Sequence, residues 1–416
     1  MPDRIAVVGA ALAVAGILML TAPAAAERPD EQNFSQVEQG RYLTAVADCA
    51  SCHTVPGQHK PFAGGRPIET PFGIVVAPNI TSDRETGIGA WSDAQFDAAL
   101  RRGRGRNGER LYPAMPFPYY ARMSRDDVLA IRAYLNTVAP VRNAVVSNQL
   151  PFPLNIRAAM RAWDALYFQK GEFKPDIAKS AAWSRGSYLV QGPGHCGACH
   201  TPKTWLGGDE SGQALRGYTI QRWFAPDITN DNLRGVGRWS VADIVEYLKS
   251  GHNRFAAASG PMGEEVALSS SQMTDGDLNA IAVYLKDQPG SAKAAKPAAA
   301  HDPFMVAGRA IYRDLCSACH KPDGGGIPHL FPTLAGSPFV SSREPTSLLR
   351  VVLQGARSVA TPAEPTAPAM PGFGWQLTDE QVAAVTTFIR NSWGNAAPAV
   401  TTEAAHKARM SLARRG

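Results

Sequence analysis

The sequence predicts an all-α chain of three consecutive small helical bundles. Three observations carry that expectation. A five-residue Cys-x-x-Cys-His motif occurs three times, a long stretch of the chain repeats itself in register, and each repeat closes on an amphipathic helical pattern capped at its start.

The motifs come first. The chain has six cysteines, and they fall in three pairs, Cys49/Cys52, Cys196/Cys199 and Cys316/Cys319. The pairs read CASCH at 49–53, CGACH at 196–200 and CSACH at 316–320. Two thiols beside a His are the signature of covalent c-type haem attachment. The thiols add to the haem vinyl groups, and His53, His200 and His320 become iron ligands. A bare Cys-x-x-Cys also suits a redox disulfide or half a zinc site. Three copies, each followed at once by His, set those readings aside. Three covalent haem c groups, each forming the heart of a class I cytochrome c domain, are therefore expected.

The repeat gives the register. Asn79-Ile80-Thr81, Trp91-Ser92 and Met115 follow His53, and Asp227-Ile228-Thr229, Trp239-Ser240 and Met262 follow His200. Each Met lies 62 residues beyond its motif His. The third unit is shorter, with Met370 lying 50 beyond His320. Met opposite His gives a low-spin carrier with no open coordination site. Met115 in YPAMPFP, Met262 in SGPMGEE and Met370 in PAMPGFG are the expected sixth ligands, all in Pro/Gly-rich loops. Most methionines are core filler; the rivals here are Met123 and Met273, each at a helix start, and the equal 62-residue offset favours Met115 and Met262 over them. His195 reads as a surface residue. Pro332, twelve residues after His320, offers a carbonyl that could orient the imidazole; no equivalent is apparent for the other two motifs.

The closing helices span 124–138, 274–287 and 378–393. Each opens on Ser or Thr followed by acids, which satisfy free N–H groups and suit the helix dipole. Each carries one aromatic, Tyr134, Tyr284 or Phe388. Each unit opens on a helix with Gly then Tyr, namely Gly40/Tyr42, Gly186/Tyr188 and Gly308/Tyr312. The glycine would let a crossing helix approach closely.

The domains follow. Residues 1–26 read as a signal peptide: Arg4, an apolar run from Ile5 to Leu20, then Ala24-Ala25-Ala26. The three units occupy 34–150, 178–287 and 304–396. Residues 151–177 carry too much aromatic bulk for a free linker and read as a packed arm. Residues 288–303 read as a flexible tether that leaves the third unit able to shift. The basic tail 397–416 is expected to be disordered.

The formal charge of +6 is dispersed, which argues against nucleic-acid binding. The haem propionates, about six in all, would roughly neutralise it. The hydrophobic fraction of 44% excludes a polytopic membrane protein.

Four stretches are more specific than the haem motifs. They are TPFGIVVAPNITSDRETGIGAWSD (70–93), LYPAMPFPYYARMSRDDV (111–128), APDITNDNLRGVGRWSVADI (225–244) and MPGFGWQLTDEQVAAV (370–385). On these the chain resembles the three-haem cytochrome c subunit of membrane-associated bacterial dehydrogenases, of the quinone-reducing alcohol, gluconate and fructose types. The resemblance implies a catalytic partner subunit of flavin, pyrroloquinoline quinone or molybdenum type. It also implies electron delivery through the haems to ubiquinone or a terminal oxidase, at the periplasmic face of the inner membrane, with peripheral membrane association. Such subunits are usually held to the membrane at their C-terminus; residues 396–416 here show no strong apolar stripe. A free-standing multihaem carrier is the alternative. A haem enzyme such as a peroxidase needs an open iron site, and three Met candidates leave none. The chain is not expected to act on an organic substrate by itself.

Overall fold

The computed structural model describes residues 34–290 and 296–413. The expected signal peptide and the middle of the expected tether lie outside the described residues. Among the described residues, no helix is long and apolar enough to cross a membrane.

Each unit is built on a crossed pair of helices, one opening it and one closing it. In the first, α1 (Phe34–Val46) crosses α5 (Arg125–Thr137); between them lie α2 (Cys49–His53), α3 (Asp93–Arg102) and α4 (Phe117–Tyr120). In the second, α7 (Ala181–Gln191) crosses α11 (Asp275–Asp287), enclosing α8 (Gly197–His200), α9 (Val241–Ser250) and α10 (Gly260–Leu268). The arm between them holds α6 (Met160–Tyr167). In the third, α12 (Pro303–Leu315) crosses α16 (Asp379–Arg390), with α13 (Ser317–His320), α14 (Pro338–Ser341) and α15 (Thr346–Gln354) between.

The closing helices start where their caps demand. The side chains of Ser124, Thr274 and Thr378 accept from the backbone N–H of Asp127, Asp277 and Gln381. The crossing is set by glycine. A Cβ on Gly40, Gly186 or Gly308 would fall 1.8, 1.9 or 2.2 Å from the carbonyl oxygen of Ala130, Ala280 or Ala384. Tyr134, Tyr284 and Phe388, one turn further on, press against the same glycines. Three hydrophobic clusters surround the three helix pairs.

Small sheets accompany the helices, which the sequence reading did not include. The hairpins β1 (Pro67–Thr70)/β2 (Gly73–Val76) and β3 (Arg216–Ile220)/β4 (Trp223–Asp227) are antiparallel, with Thr70 opposite Gly73 and Ile220 opposite Trp223. A two-residue pair, β5 (Ala356–Arg357)/β6 (Ala369–Met370), joins Ala356 to Met370.

Two expectations are corrected. The third unit is not free to swing on a tether, because it is docked on the second. Val359 donates its N–H to Ala258 O at 3.0 Å, and His252 donates from Nε2 to Val359 O at 2.9 Å. Phe224 N–H donates to Ser347 Oγ at 2.7 Å, and Arg350 stacks over the Trp223 ring at 4.7 Å. Backbone hydrogen bonds between units fix orientation as well as distance. The tail is not disordered either. Residues Thr402–Ala413 form a helix, α17, that buries Ala405 against the third core. The arm places Trp163 in a buried position with its indole N–H donating to Leu206 O at 3.0 Å, while Phe152 and Leu166 stay exposed.

Candidate functional site

The three motif histidines share one local construction. Nδ1 of His53 donates to Pro78 O at 2.7 Å, Nδ1 of His200 to Pro226 O at 2.6 Å, and Nδ1 of His320 to Pro332 O at 3.0 Å. A carbonyl can only accept, so each Nδ1 carries the proton and each Nε2 is left with a lone pair. Burial lowers the pKa of all three imidazoles, with the carbonyl bonds pulling the other way, which favours the neutral form that binds a metal.

The acceptor prolines are placed by strands. Pro226 stands in β4. Pro78 follows β2, where Ala77 N–H extends the hairpin by donating to Arg66 O at 3.0 Å. Pro332 follows an isolated bridge between Ile327 and Phe331. Gly64 and Gly326, both at positive φ, lie so close to Pro78 and Pro332 that a Cβ would meet those backbones at 2.4 to 2.6 Å. After the proline, Asn79 and Asp227 each accept from the N–H two residues on, at Thr81 and Thr229. That turn explains why Asn/Asp-Ile-Thr recurs in the first two units. The repeated Pro-Asn-Ile-Thr and Pro-Asp-Ile-Thr were the signal for Pro78 and Pro226, which the sequence reading did not place.

All twelve predicted residues face one connected cavity of about 1630 Å³, lined mainly by apolar side chains. They are Cys49, Cys52, His53 and Met115, then Cys196, Cys199, His200 and Met262, then Cys316, Cys319, His320 and Met370. The volume exceeds the roughly 300–1,000 Å³ of a site for one small molecule. None of the six cysteines is in a disulfide. Burial pushes Cys49, Cys52 and Cys196 up to about 12 and Cys199 and Cys316 up to about 11, which holds them as neutral thiols. Among the described residues, no cluster of three His, Cys, Asp or Glu could hold a metal ion. A zinc site built on these pairs therefore lacks its ligands, whereas a large planar group bearing its own iron fits the donor set.

The methionines are presented differently. Met115 lies in the loop before α4, packed beside the first core. Met262 stands in the first turn of α10 rather than in a loop, because Ser259-Gly260-Pro261 starts a helix there. Met370 is in β6. Of the rivals, Met123 is wholly buried and off the cavity, while Met273 is buried and touches it.

The first two units meet through a reciprocal exchange. Tyr42 of α1 donates to Asp277 of α11, and Tyr188 of α7 donates to Asp127 of α5. Arg185 forks onto Asp277 with two 2.7 Å bonds. His195 is half-buried rather than a plain surface residue. Its ring packs edge-on against Tyr120 with centroids 5.6 Å apart, and burial lowers its pKa. Deeper in the junction, Arg66 pairs with Glu264 through two contacts, one at 2.8 Å. Burial pushes Asp48 up to about 8 and Glu265 up to about 7, which limits negative charge between the two His sites.

Residues 37–139 and 305–393 match the family model for cytochrome c. The chain is 39% identical over 410 residues to the gluconate 2-dehydrogenase cytochrome c subunit of Pantoea cypripedii, covering 94% of this chain and 92% of that one. It is 38% identical over 410 residues to the cytochrome c subunit of the quinone alcohol dehydrogenase of Gluconacetobacter polyoxogenes, covering 94% and 87%. It is 34% identical over 417 residues to the fructose dehydrogenase cytochrome subunit of Gluconobacter japonicus, covering 93% and 84%. With likeness of this extent added to three Cys-x-x-Cys-His sites of one construction, the chain belongs to the family of dehydrogenase cytochrome c subunits.

Proposed function

We propose that this chain is the electron-transfer subunit of a dehydrogenase complex and carries three covalent haem c groups. The six cysteines hold the haems. His53 with Met115, His200 with Met262 and His320 with Met370 would hold the three irons. Bound haem supplies reversible one-electron chemistry. The protein's part is to hold and orient. Each proline carbonyl sets one imidazole's tautomer and ring plane, which raises its basicity as a ligand. The apolar wall keeps water away, and the Met side chains close the positions at which small molecules would react.

One observation carries the proposal: three His side chains, each bonded through Nδ1 to a proline carbonyl, share a single apolar cavity with three thiol pairs and three Met. A connected cavity suits conduction from site to site rather than three separate reactions. The named relatives are subunits of gluconate, alcohol and fructose dehydrogenases, which supports a catalytic partner for this chain too. That partner, of flavin, pyrroloquinoline quinone or molybdenum type, reduces the haems. Ubiquinone or a terminal oxidase takes the electrons at the periplasmic side of the inner membrane, which the chain reaches through its N-terminal signal segment.

The test is direct. Pyridine haemochrome analysis of fully matured protein should give three haems per chain. Alone, the protein should oxidise no alcohol, aldehyde or sugar acid; with its dehydrogenase it should be reduced by substrate and reoxidised by a ubiquinone analogue. Turnover of an organic substrate by the isolated chain would overturn the assignment.

A further inference from the structure

The C-terminal helix does more than cover the third core. Met370 is followed by a short loop, Pro371 to Leu377, that leads into α16. One side of this loop is tied to the end of α15: Phe373 N–H donates to Val352 O at 2.8 Å and Gly374 N–H to Leu353 O at 3.0 Å. The other side is tied to a single residue of α17. Arg409 donates to Gly374 O, to Leu377 O at 2.7 Å, and from Nε to Asp379 Oδ1 at 2.6 Å. One guanidinium thus spans the loop and the first residue of α16. The planar, five-donor fork makes this possible, and no other side chain offers it.

The supports of α17 are themselves firm. Ala405 is fully buried, and Ala404, Ala408 and Leu412 pack on the same core. His406 makes a second contact to Asp379 at 2.8 Å, and Arg222 of the second unit reaches Ser411 O at 2.6 Å. By contrast, Met370 is held at its backbone by the two-residue pairing of Ala356 and Arg357 with Met370 and Ala369.

We infer that Arg409 is a positioning residue for the third haem: by clamping the loop after Met370 from the outside, it keeps that thioether on the iron. The inference rests on the reading of Met370 as an axial ligand. Without the clamp the loop keeps its α15 bonds but loses its outer wall, and the Met dissociates more often. The ligand class admitted at the third iron would then be small neutral nitrogen bases. Nothing of the kind follows for the first two units, whose Met residues lie in a loop before α4 and on α10.

The experiment uses the full matured chain with all haems. Met370→Ala, Arg409→Ala, Arg409→Gln and Lys407→Ala are compared by the weak red-end Fe–S absorption of the oxidised protein and by titration with imidazole. Met370→Ala should remove one haem's share of the absorption. Arg409→Ala should weaken that same share and tighten imidazole binding at one haem roughly tenfold, the scale of losing a supporting partner at a metal site. Arg409→Gln, which retains a stem and a neutral donor, should fall between and remains informative if Arg409→Ala misfolds. Lys407→Ala, on the same helix but paired with Glu403, should change neither readout. If Met370→Ala keeps the full absorption, the ligand assignment falls and the inference with it. If Met370→Ala loses its share while both folded Arg409 variants keep theirs and bind imidazole as the native protein does, the clamp alone is overturned.

Discussion

Tyr42 donates its phenolic hydrogen to Asp277 at 2.6 Å, across 235 residues of sequence. Tyr188 returns the same bond to Asp127. The two tyrosines hold matching places on the opening helices, two residues after Gly40 and Gly186. The two aspartates hold matching places three residues after the caps of the closing helices. The first two units therefore face each other with near two-fold symmetry, and what ties them is the same pair of residues used twice.

Removing either hydroxyl should loosen this junction. Tyr42→Phe and Tyr188→Phe are each expected to lower stability by about 1.5 kcal/mol, the scale of a hydrogen bond to a charged acceptor. Calorimetric melting of the two single variants and the double variant measures this. A change smaller than about 0.5 kcal/mol in both singles would mark the exchange as an incidental surface contact.

The junction should also respond to acid. Burial tends to raise the pKa of Asp277, but the bonds from Arg185 and Tyr42 outweigh it and hold the carboxyl below its ordinary 3.8. A carboxyl depressed in the folded state contributes stability that is complete above its unfolded value and is lost as pH falls through the folded one. The Asp277 contribution should thus persist at neutral pH and disappear below 3.8. Asp277→Asn should flatten the acid limb of a stability–pH curve; an unchanged slope there would show that other carboxyls control it.

The crossing glycines make a sharper case. Gly308→Ala would put a methyl 2.2 Å from Ala384 O, where backbone must move. A cost of about 3 kcal/mol is expected, with Gly40→Ala and Gly186→Ala similar. Gly276 lies in α11 with open space around it, its nearest neighbour being Thr274 Oγ1 at 4.0 Å. Gly276→Ala should instead stabilise, by about 0.5 kcal/mol. Chemical denaturation resolves the two signs, and equal effects at Gly276 and Gly308 would refute the packing argument.

The axial methionines separate from core methionines by what their loss does. Met115→Ala and Met262→Ala should each lower one haem's reduction potential and remove its red-end absorption. Met123→Ala, wholly buried in the first core, should cost about 3 kcal/mol and leave all the absorption intact. Redox titration with visible spectra checks both. Full band intensity in Met262→Ala would transfer the role to Met273, which also touches the cavity.

The sequence by itself determined whatever depends on neighbours within a few residues. The Cys-x-x-Cys-His triplets, the Ser and Thr caps and the glycine-aromatic pairs are local devices, and the repeat multiplied each signal. Helix periodicity then located the first two closing helices to within a residue at each end and the third to within three. Only the tertiary structure decided which tyrosine meets which aspartate, that His195 packs against Tyr120, and that the third unit docks on the second. Such contacts join residues with no shared local pattern, so no window of sequence displays them. The hairpins that deliver Pro78 and Pro226 were missed because short strands bearing Gly and Pro read as loops. The tail was misread for a related reason. At 12 residues the segment is too short to hold a helix alone, and α17 forms because Ala405, Arg409 and His406 find a core and an aspartate already in place.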